Sequence, residues 1–440
     1  MEATRHLELY PDHLRVLQSA AEEALSDSGF GSLIIHSGTP LTYFLDDQEA
    51  PFRSNPSFAH FLPLGGPHHL LSIRAGAKPL LIILTPEDYW REHAGEKDSF
   101  WRNEFEVREV KTPEDGWNEL PRVQNAGYLG DNPKEAEAHG IGASAVNHPC
   151  ITAHLDWRRS FKTPYEIACI EEANHLAEHA HEAARGAFFA GASELEIHEA
   201  YLEQLAHTEN DLPYGTIVAL NEKSAILHYQ GKRLVEDGMN LLIDAGAFCH
   251  GYASDITRTY AVESCDVLFR GLLGGVEKLQ QELCAMALPG TAFPDLHHAA
   301  HVKIGNLLRM LGVTTLDGEE AAELGITRTF FPHGLGHFLG IQVHDVGGNQ
   351  KSKEGGTIEP PERYPKLRMT RTIEEEMVFT IEPGIYFIPM LLGKHRGGET
   401  AKYFNWQLID RLTPLGGIRI EDDVLATKEG NRNLTREFLA

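Results

Sequence analysis

The 440-residue chain has only five cysteines, Cys150, Cys169, Cys249, Cys265 and Cys284, an odd number without C-x-x-C spacing. Their scarcity excludes a disulfide framework and a cysteine zinc knuckle, and reads as reduced thiols in a cytoplasmic protein. Long apolar runs are missing as well. No stretch approaches the roughly 18 uncharged apolar residues of a membrane helix, so no membrane span is expected. Met1–Glu8 lacks the apolar core of a secretory signal. Basic residues are outnumbered, 39 Lys and Arg against 64 Asp and Glu, and the formal net charge of −25 argues against a nucleic-acid partner. What remains is an ordinary globular composition, 42% hydrophobic and 23% charged, long enough for two domains.

Residues 1–158 mix strand-like runs with short helical text and predict a small α/β domain. Ser32–His36 and Pro79–Leu84 read as buried strands and Pro11–Leu25 as an amphipathic helix. Trp90, Trp101 and Trp117 lie in this region, which carries no catalytic constellation. Thr163-Pro-Tyr-Glu166 joins a capping box to a proline at the first helical position, and opens the second domain, 159–440. The helix it starts places Ile167, Ile170, Ala173, Leu176 and Ala180 on one face, and Ser193-Glu-Leu-Glu196 starts another. Strand-like text follows at Thr216–Leu220, Leu241–Phe248 and Asp255–Tyr260. Helical text returns at Val267–Leu288 and Pro294–Leu311, split by Pro289-Gly290, and 376–425 is again strand-rich. Helices, strands, helices, strands predict an α+β domain of two similar halves, although no sequence period repeats. Residues 349–366 have loop composition, which fits a flap near a site and a plain surface loop equally.

Five polar residues interrupt apolar, strand-like text where core side chains belong: Asp244, Asp255, His337, Glu382 and Glu421. Burying an unpaired carboxylate costs several kcal/mol or more, so each needs a cation, a hydrogen-bond cage or a proton. Asp244 and Asp255 are eleven residues apart with Gly246 and Gly251 between them, a spacing that predicts two strands bringing both carboxylates to one sheet edge. The competing reading has each Asp capping a turn or pairing with Arg258. His333-Gly-Leu-Gly-His337 with His344 does not have the His-Glu-x-x-His spacing of helical zinc proteases. Its glycines imply a tightly packed backbone, with His337 as the metal ligand and His333 and His344 left for substrate hydrogen bonds or proton transfer. Arg419 and Glu421 face the same side of a strand. An Arg beside a metal-binding Glu suggests a substrate carboxylate near the scissile bond; a core ion pair is the alternative.

Four carboxylates and one imidazole cannot gather without cations, since like charges at a few ångströms force protonation. Two divalent ions roughly 3.5–4 Å apart resolve that conflict. Oxygen-rich ligation with one His and no Cys favours Mn²⁺, Co²⁺ or Zn²⁺ without choosing among them. Such a pair acidifies water and polarises a carbonyl, so hydrolysis is the expected reaction.

Asp244-Ala-Gly-Ala, Asp255-Ile-Thr-Arg-Thr, Pro332-His-Gly-Leu-Gly-His337, Val343-His-Asp345, Ile381-Glu-Pro-Gly384 and Gly417-Ile-Arg-Ile-Glu421 together resemble the pita-bread metallopeptidases. The run 333–348 looks like that of the Xaa-Pro dipeptidases, or prolidases. With Phe44-Leu-Asp-Asp47 and Thr216-Ile-Val-Ala-Leu-Asn221 it is most similar to a bacterial branch that includes organophosphorus acid anhydrolases. The resemblance implies a C-terminal pita-bread catalytic domain of two pseudo-twofold halves behind a smaller α/β domain. It implies two divalent ions per subunit, Mn²⁺ first and Co²⁺ or Zn²⁺ as alternatives, with Asp244 on one ion, Asp255 on both, His337 on one, and Glu382 and Glu421 assisting or bridging. Glu382 would also shuttle protons, and His228, His333 and His344 would contact substrate and transition state. Arg419 would meet the proline carboxylate, with Arg368 a second contact. Tyr214 and Asp47 would shape the pocket, Asp47 reaching it across a homodimer. The implied activity is hydrolysis of Xaa-Pro dipeptides, with a side activity on organophosphorus P–F and P–O bonds. The alternatives are an Xaa-Pro aminopeptidase acting on longer peptides and a primarily organophosphate-hydrolysing enzyme. A metal-free peptide-binding relative would lack ligands that are all present here.

Overall fold

In the computed structural model, which describes residues 5–89, 99–121 and 123–439, the chain forms two units. One comprises Met1–Cys169 with Gln350–Gly356, the other Ile170–Asn349 with Thr357–Ala440. Trp90 lies outside the described residues. No helix among the described residues is long and apolar enough to cross a membrane.

In the N-terminal unit a long helix, Arg5–Ser28, buries Tyr10, Leu14, Leu17, Ala21, Ala24 and Leu25, the stripe expected of one amphipathic face. It begins before Pro11, which therefore lies inside the helix and not at its start. The Tyr10 hydroxyl, donating to the Phe61 carbonyl at 2.6 Å, anchors the turn before the proline. The sheet runs Glu106–Val110, Leu80–Leu84, Leu70–Ile73, Ser32–His36, Ala126–Leu129 in spatial order. Its outer pairings are parallel and its inner ones antiparallel. Ser32–His36 is buried along its whole length, which is why its sequence is a continuous apolar run and not an alternation. At the end of the unit the capping box forms as read. The Thr163 amide donates to Glu166 Oε2 at 2.9 Å, and the Glu166 amide to Thr163 Oγ1 at 3.4 Å.

The C-terminal unit contains the two expected halves. The first pairs helices Pro164–Phe189 and Glu194–Leu205 with an antiparallel sheet whose middle strand, Asn240–Ala245, lies between Ile217–Leu220 and Ile256–Ala261. The second pairs helices Val267–Met286 and Phe293–Met310 with a sheet in which Asp422–Thr427 lies between Val378–Ile381 and Gly430–Asn433. A short ribbon, Gly384–Tyr386 against Gly417–Arg419, extends the second half. A β-bridge between Thr257 and Glu421 joins one half to the other. Two short helices, Pro389–Gly393 and Trp406–Leu412, interrupt the region read as strand-rich. Within 349–366, read as loop, Gln350–Ser352 and Gly355–Thr357 pair as a hairpin. Lys353-Glu354 make the turn between them, and Gly355 and Gly356 leave it at φ +103° and +82°.

Both units bury neutral imidazoles. Burial pulls His13, His69 and His181 from 6.5 to about 4, and His297 to about 3. The folded chain therefore declines protons that the unfolded chain accepts below pH 6.5, and the unfolded state gains as pH falls. Stability from these groups is full above pH 6.5 and is lost towards pH 4, by about 1.4 kcal/mol per pH unit for each group. Thermal unfolding followed by circular dichroism should show a fall in Tm through that window that shrinks when His181 and His297 are replaced by Gln; an undiminished fall would contradict the burial argument.

Candidate metal centre

Asp244, near the end of Asn240–Ala245, stands in register with Thr257 on the neighbouring strand, and Asp255 lies two residues before Thr257 on the same face. A Cβ on Gly246 would collide with the Ser254 carbonyl, so glycine is what lets the two segments converge beside the carboxylates. The small pairing of Phe248–Cys249 with Tyr252–Ala253 makes the turn between them. From the other half, the Glu421 amide donates to the Thr257 carbonyl at 3.0 Å, and Glu421 Oε2 accepts the Thr257 hydroxyl at 2.6 Å. Glu382 follows Val378–Ile381, its amide bonded to the Leu335 carbonyl at 2.8 Å. The Thr380 amide donates to the His337 carbonyl at 2.9 Å and the His337 amide to Thr380 Oγ1 at 3.3 Å, and a Cβ on Gly336 would strike the Thr380 carbonyl. The glycines of the His-Gly-Leu-Gly-His run thus serve close backbone approach.

His337 Nδ1 lies 2.9 Å from the Phe338 carbonyl, which can only accept, so Nδ1 carries a proton. Its Nε2 faces Asp255 Oδ2 at 3.4 Å and Glu382 Oε1 at 3.8 Å. Asp255, His337 and Glu421 each present a ligand atom within 4.8 Å of the others. Burial and the neighbouring carboxylates push Glu382 up to about 7, Glu421 well above the carboxylate range, and Asp244 upward despite Arg419. Burial opposes charging His337, yet the Asp255 hydrogen bond and the Asp255 and Glu382 charges raise it to about 9. Asp244 Oδ1 is buried without a hydrogen-bond donor. Four carboxylates facing one guanidinium and one imidazole carry more negative charge than those groups offset, and the oxygen-rich donor set fits divalent cations.

The remaining predicted residues fall into an inner and an outer group. Tyr214 donates its hydroxyl proton to Asp255 Oδ1 at 2.6 Å. His333 Nδ1 donates to the Gly334 carbonyl at 2.8 Å and lies 3.5 Å from Glu382 Oε2, while its Nε2 accepts from the Tyr386 hydroxyl at 2.9 Å. Burial and the Arg419 charge lower His333 to about 3. His344 stacks its ring edgewise 4.4 Å from His337. His344, His228 and Arg368 are exposed, and the charges of His228 and Arg368 act on His344. Asp47 lies in the N-terminal unit, exposed, with its amide bonded to Asp46.

Arg419 is 5% exposed and engaged inside the cluster. Its Nη2 reaches Asp244 Oδ2 at 2.5 Å, Nη1 donates to the Tyr386 oxygen at 3.0 Å, and Nε donates to Thr257 Oγ1 at 3.1 Å. Arg258, the competing partner for the two aspartates, instead pairs with Asp422 at 2.8 Å and donates to the Glu421 carbonyl. Sequence reasoning missed Thr257, Tyr386, Asp422 and Asp423. Tyr386 shares strand parity with Gly384 and Glu382, and Asp422-Asp423 extends Glu421 into an apolar strand, a signal as visible as the one that marked Glu421. Asp423 Oδ2 accepts from Asn174 at 2.8 Å and from the Asp255 amide at 3.1 Å, so it holds a predicted ligand from behind.

The comparisons agree with this geometry. The model of metallopeptidase family M24 matches residues 168–428, and that of the Xaa-Pro dipeptidase N-terminal domain matches residues 8–157. Xaa-Pro dipeptidases of Pseudoalteromonas atlantica and Shewanella loihica are each 42% identical to the chain, with 98% of both chains covered. That of Stenotrophomonas maltophilia is 42% identical, covering 98% of this chain and 97% of its own. The low-pH form of Escherichia coli aminopeptidase P superposes with a TM-score of 0.76 at 25% identity, covering 98% of this chain and 96% of that one. Proline aminopeptidase P II from Yersinia pestis gives 0.72 at 25%, covering 97% of each. The organophosphorus part of the resemblance has no counterpart among these relatives. The C-terminal unit has the pita-bread fold. With these matches across nearly its whole length, the chain belongs to the Xaa-Pro dipeptidase group of metallopeptidase family M24.

Proposed function

We propose that this chain hydrolyses Xaa-Pro dipeptides using two divalent ions held by Asp244, Asp255, His337, Glu382 and Glu421. The observation that carries this reading is the convergence of those five side chains from both halves, with carboxyl groups pushed up by burial and mutual repulsion. Mn²⁺, Co²⁺ and Zn²⁺ all suit the donor set. When bound, such a pair supplies Lewis-acid activation of water and of the scissile carbonyl.

The chain's own groups do the rest. Glu382, beside His333 and His337, receives the proton of the attacking water and returns it to the leaving prolyl nitrogen. His333 is held as a neutral imidazole, Nδ1 proton inward, by Gly334 and Tyr386. His344 and His228 stand at the exposed edge, where imidazole N–H groups donate to the peptide carbonyl oxygen. Tyr214 and Asp423 fix Asp255 from two sides. Arg419 acts as a positioning residue, orienting Asp244 and Tyr386, and the exposed Arg368 reads the terminal carboxylate. The loop carrying Asp47 exposes Phe44 and Leu45 to 91% each, and burying that tip against a second subunit would bring Asp47 to the partner's pocket in a homodimer. No disulfide joins the five cysteines, which suits a reducing cytoplasm.

Proline release from Ala-Pro should vanish on chelation and return with Mn²⁺, Co²⁺ or Zn²⁺. No metal-dependent release from any Xaa-Pro dipeptide would sink the reading. Ala-Pro-Ala should be cleaved far more slowly than Ala-Pro; equal rates would make the chain an aminopeptidase. Arg368→Ala should raise KM about 10- to 100-fold, the worth of one charged hydrogen bond, with kcat less affected. Phe44→Asp should shift the protein from dimer to monomer by light scattering and lower kcat/KM. A wild-type monomer would exclude Asp47 from the pocket.

A further inference from the structure

The N-terminal unit holds a group of titratable side chains that dipeptide hydrolysis leaves unused. His36 ends the strand Ser32–His36, His68 sits in the turn before Leu70–Ile73, and Glu135 lies on the helix Pro133–Ala138. We infer that His36, His68 and Glu135, whose ligand atoms lie within 4.8 Å of one another, form a binding site for a borderline divalent cation of the Zn²⁺ class.

Unsatisfied nitrogens point to a ligand. His36 Nε2 and His68 Nδ1 are both buried without a hydrogen-bond partner, and His36 is 1% exposed. Buried polar atoms normally find partners, and two orphans beside a carboxylate ask for a shared one. Burial keeps His36 neutral, which leaves a lone pair available at neutral pH.

The surroundings are arranged as supports for such a site. His36 Nδ1 lies 3.7 Å from Asp131 Oδ1, and the other Asp131 oxygen is fixed by the Thr39 amide at 3.0 Å and hydroxyl at 2.9 Å. Glu135 Oε1 accepts the Trp117 indole N–H at 2.8 Å and Oε2 accepts Asn132 Nδ2 at 2.7 Å, so the carboxylate is oriented while each oxygen keeps a second lone pair. His68 adopts φ +60°, uncommon for a residue with a side chain, and its amide is tied to the Gly38 carbonyl at 3.0 Å. The Gly38 amide also donates to His36 Nδ1 at a long 3.2 Å. A cation on Nε2 moves the ring proton to Nδ1, where it faces Asp131, and the Gly38 contact opens. No proton is gained or lost, and a carboxylate–histidine–metal arrangement results. Two imidazoles and one carboxylate favour Zn²⁺, Co²⁺, Ni²⁺ or Cu²⁺ over Mg²⁺ or Ca²⁺. Such an ion would pin strand, turn and helix at the root of the loop that carries Asp47.

The test uses untagged full-length protein, stripped by chelator, loaded with Zn²⁺ and dialysed, with metal per chain measured by mass spectrometry. His68→Gly removes a ligand and also relieves the left-handed backbone, so it should fold, as circular dichroism would verify. It is expected to bind one Zn²⁺ fewer than the wild type, and Glu135→Gln to hold that ion at least ~10-fold more weakly in competition with a chromophoric chelator. The readout is a difference between chains, so it stands whether the catalytic centre binds two ions, one or none. Equal Zn²⁺ content and affinity in the wild type and both variants would overturn the inference.

Discussion

The fold of the C-terminal unit is organised around one electrostatic constraint: four carboxylates must share a buried space. Burial itself pushes Glu382, Glu421 and Asp244 upward, and the neighbouring carboxylates push them further. The unit meets this cost by dividing the acids between its two halves and placing Arg419 and His337 among them. Thr257 is the joint of that arrangement. It faces Asp244 in register, bridges to Glu421 through both backbone and hydroxyl, and accepts from Arg419.

Behind the cluster lies a second layer with the opposite electrostatic outcome. Asp422 is as deeply buried as Glu421, yet Arg258 and Arg436, with Asn433, hold it below the usual carboxylate range despite desolvation. Consecutive residues along one strand therefore point to opposite faces and opposite fates. Glu421 turns to the centre and is pushed towards protonation, while Asp422 turns away and stays charged. Asp423, again on the central side, holds the Asp255 amide. Alternation of this kind lets one segment furnish both a proposed ligand and the scaffold that aims another.

Much of this was legible in the linear chain wherever the governing physics is local. Both capping boxes form as read, because donor and acceptor lie three residues apart. The helix–strand order of both halves follows from periodicity. Local reading failed where packing overrode it. Pro11 looks like a helix start but lies inside a helix whose earlier turn is held by Tyr10 to Phe61, fifty-one residues away. The hairpin within 349–366 was hidden because strands of three residues have no periodicity to read.

By itself the sequence determined the donor types, their setting in apolar strands and the glycines between them, and with these the class of chemistry. Those features follow from residue identity and short-range spacing. Which charge meets which was decided only by the tertiary structure. Arg419 stands beside Glu421 in the chain, yet its ion pair is with Asp244, 175 residues away, and Asp423 is held by Asn174, 249 residues away. Such partnerships depend on how two sheets meet at Thr257 and Glu421, a geometry set by packing that no local spacing encodes.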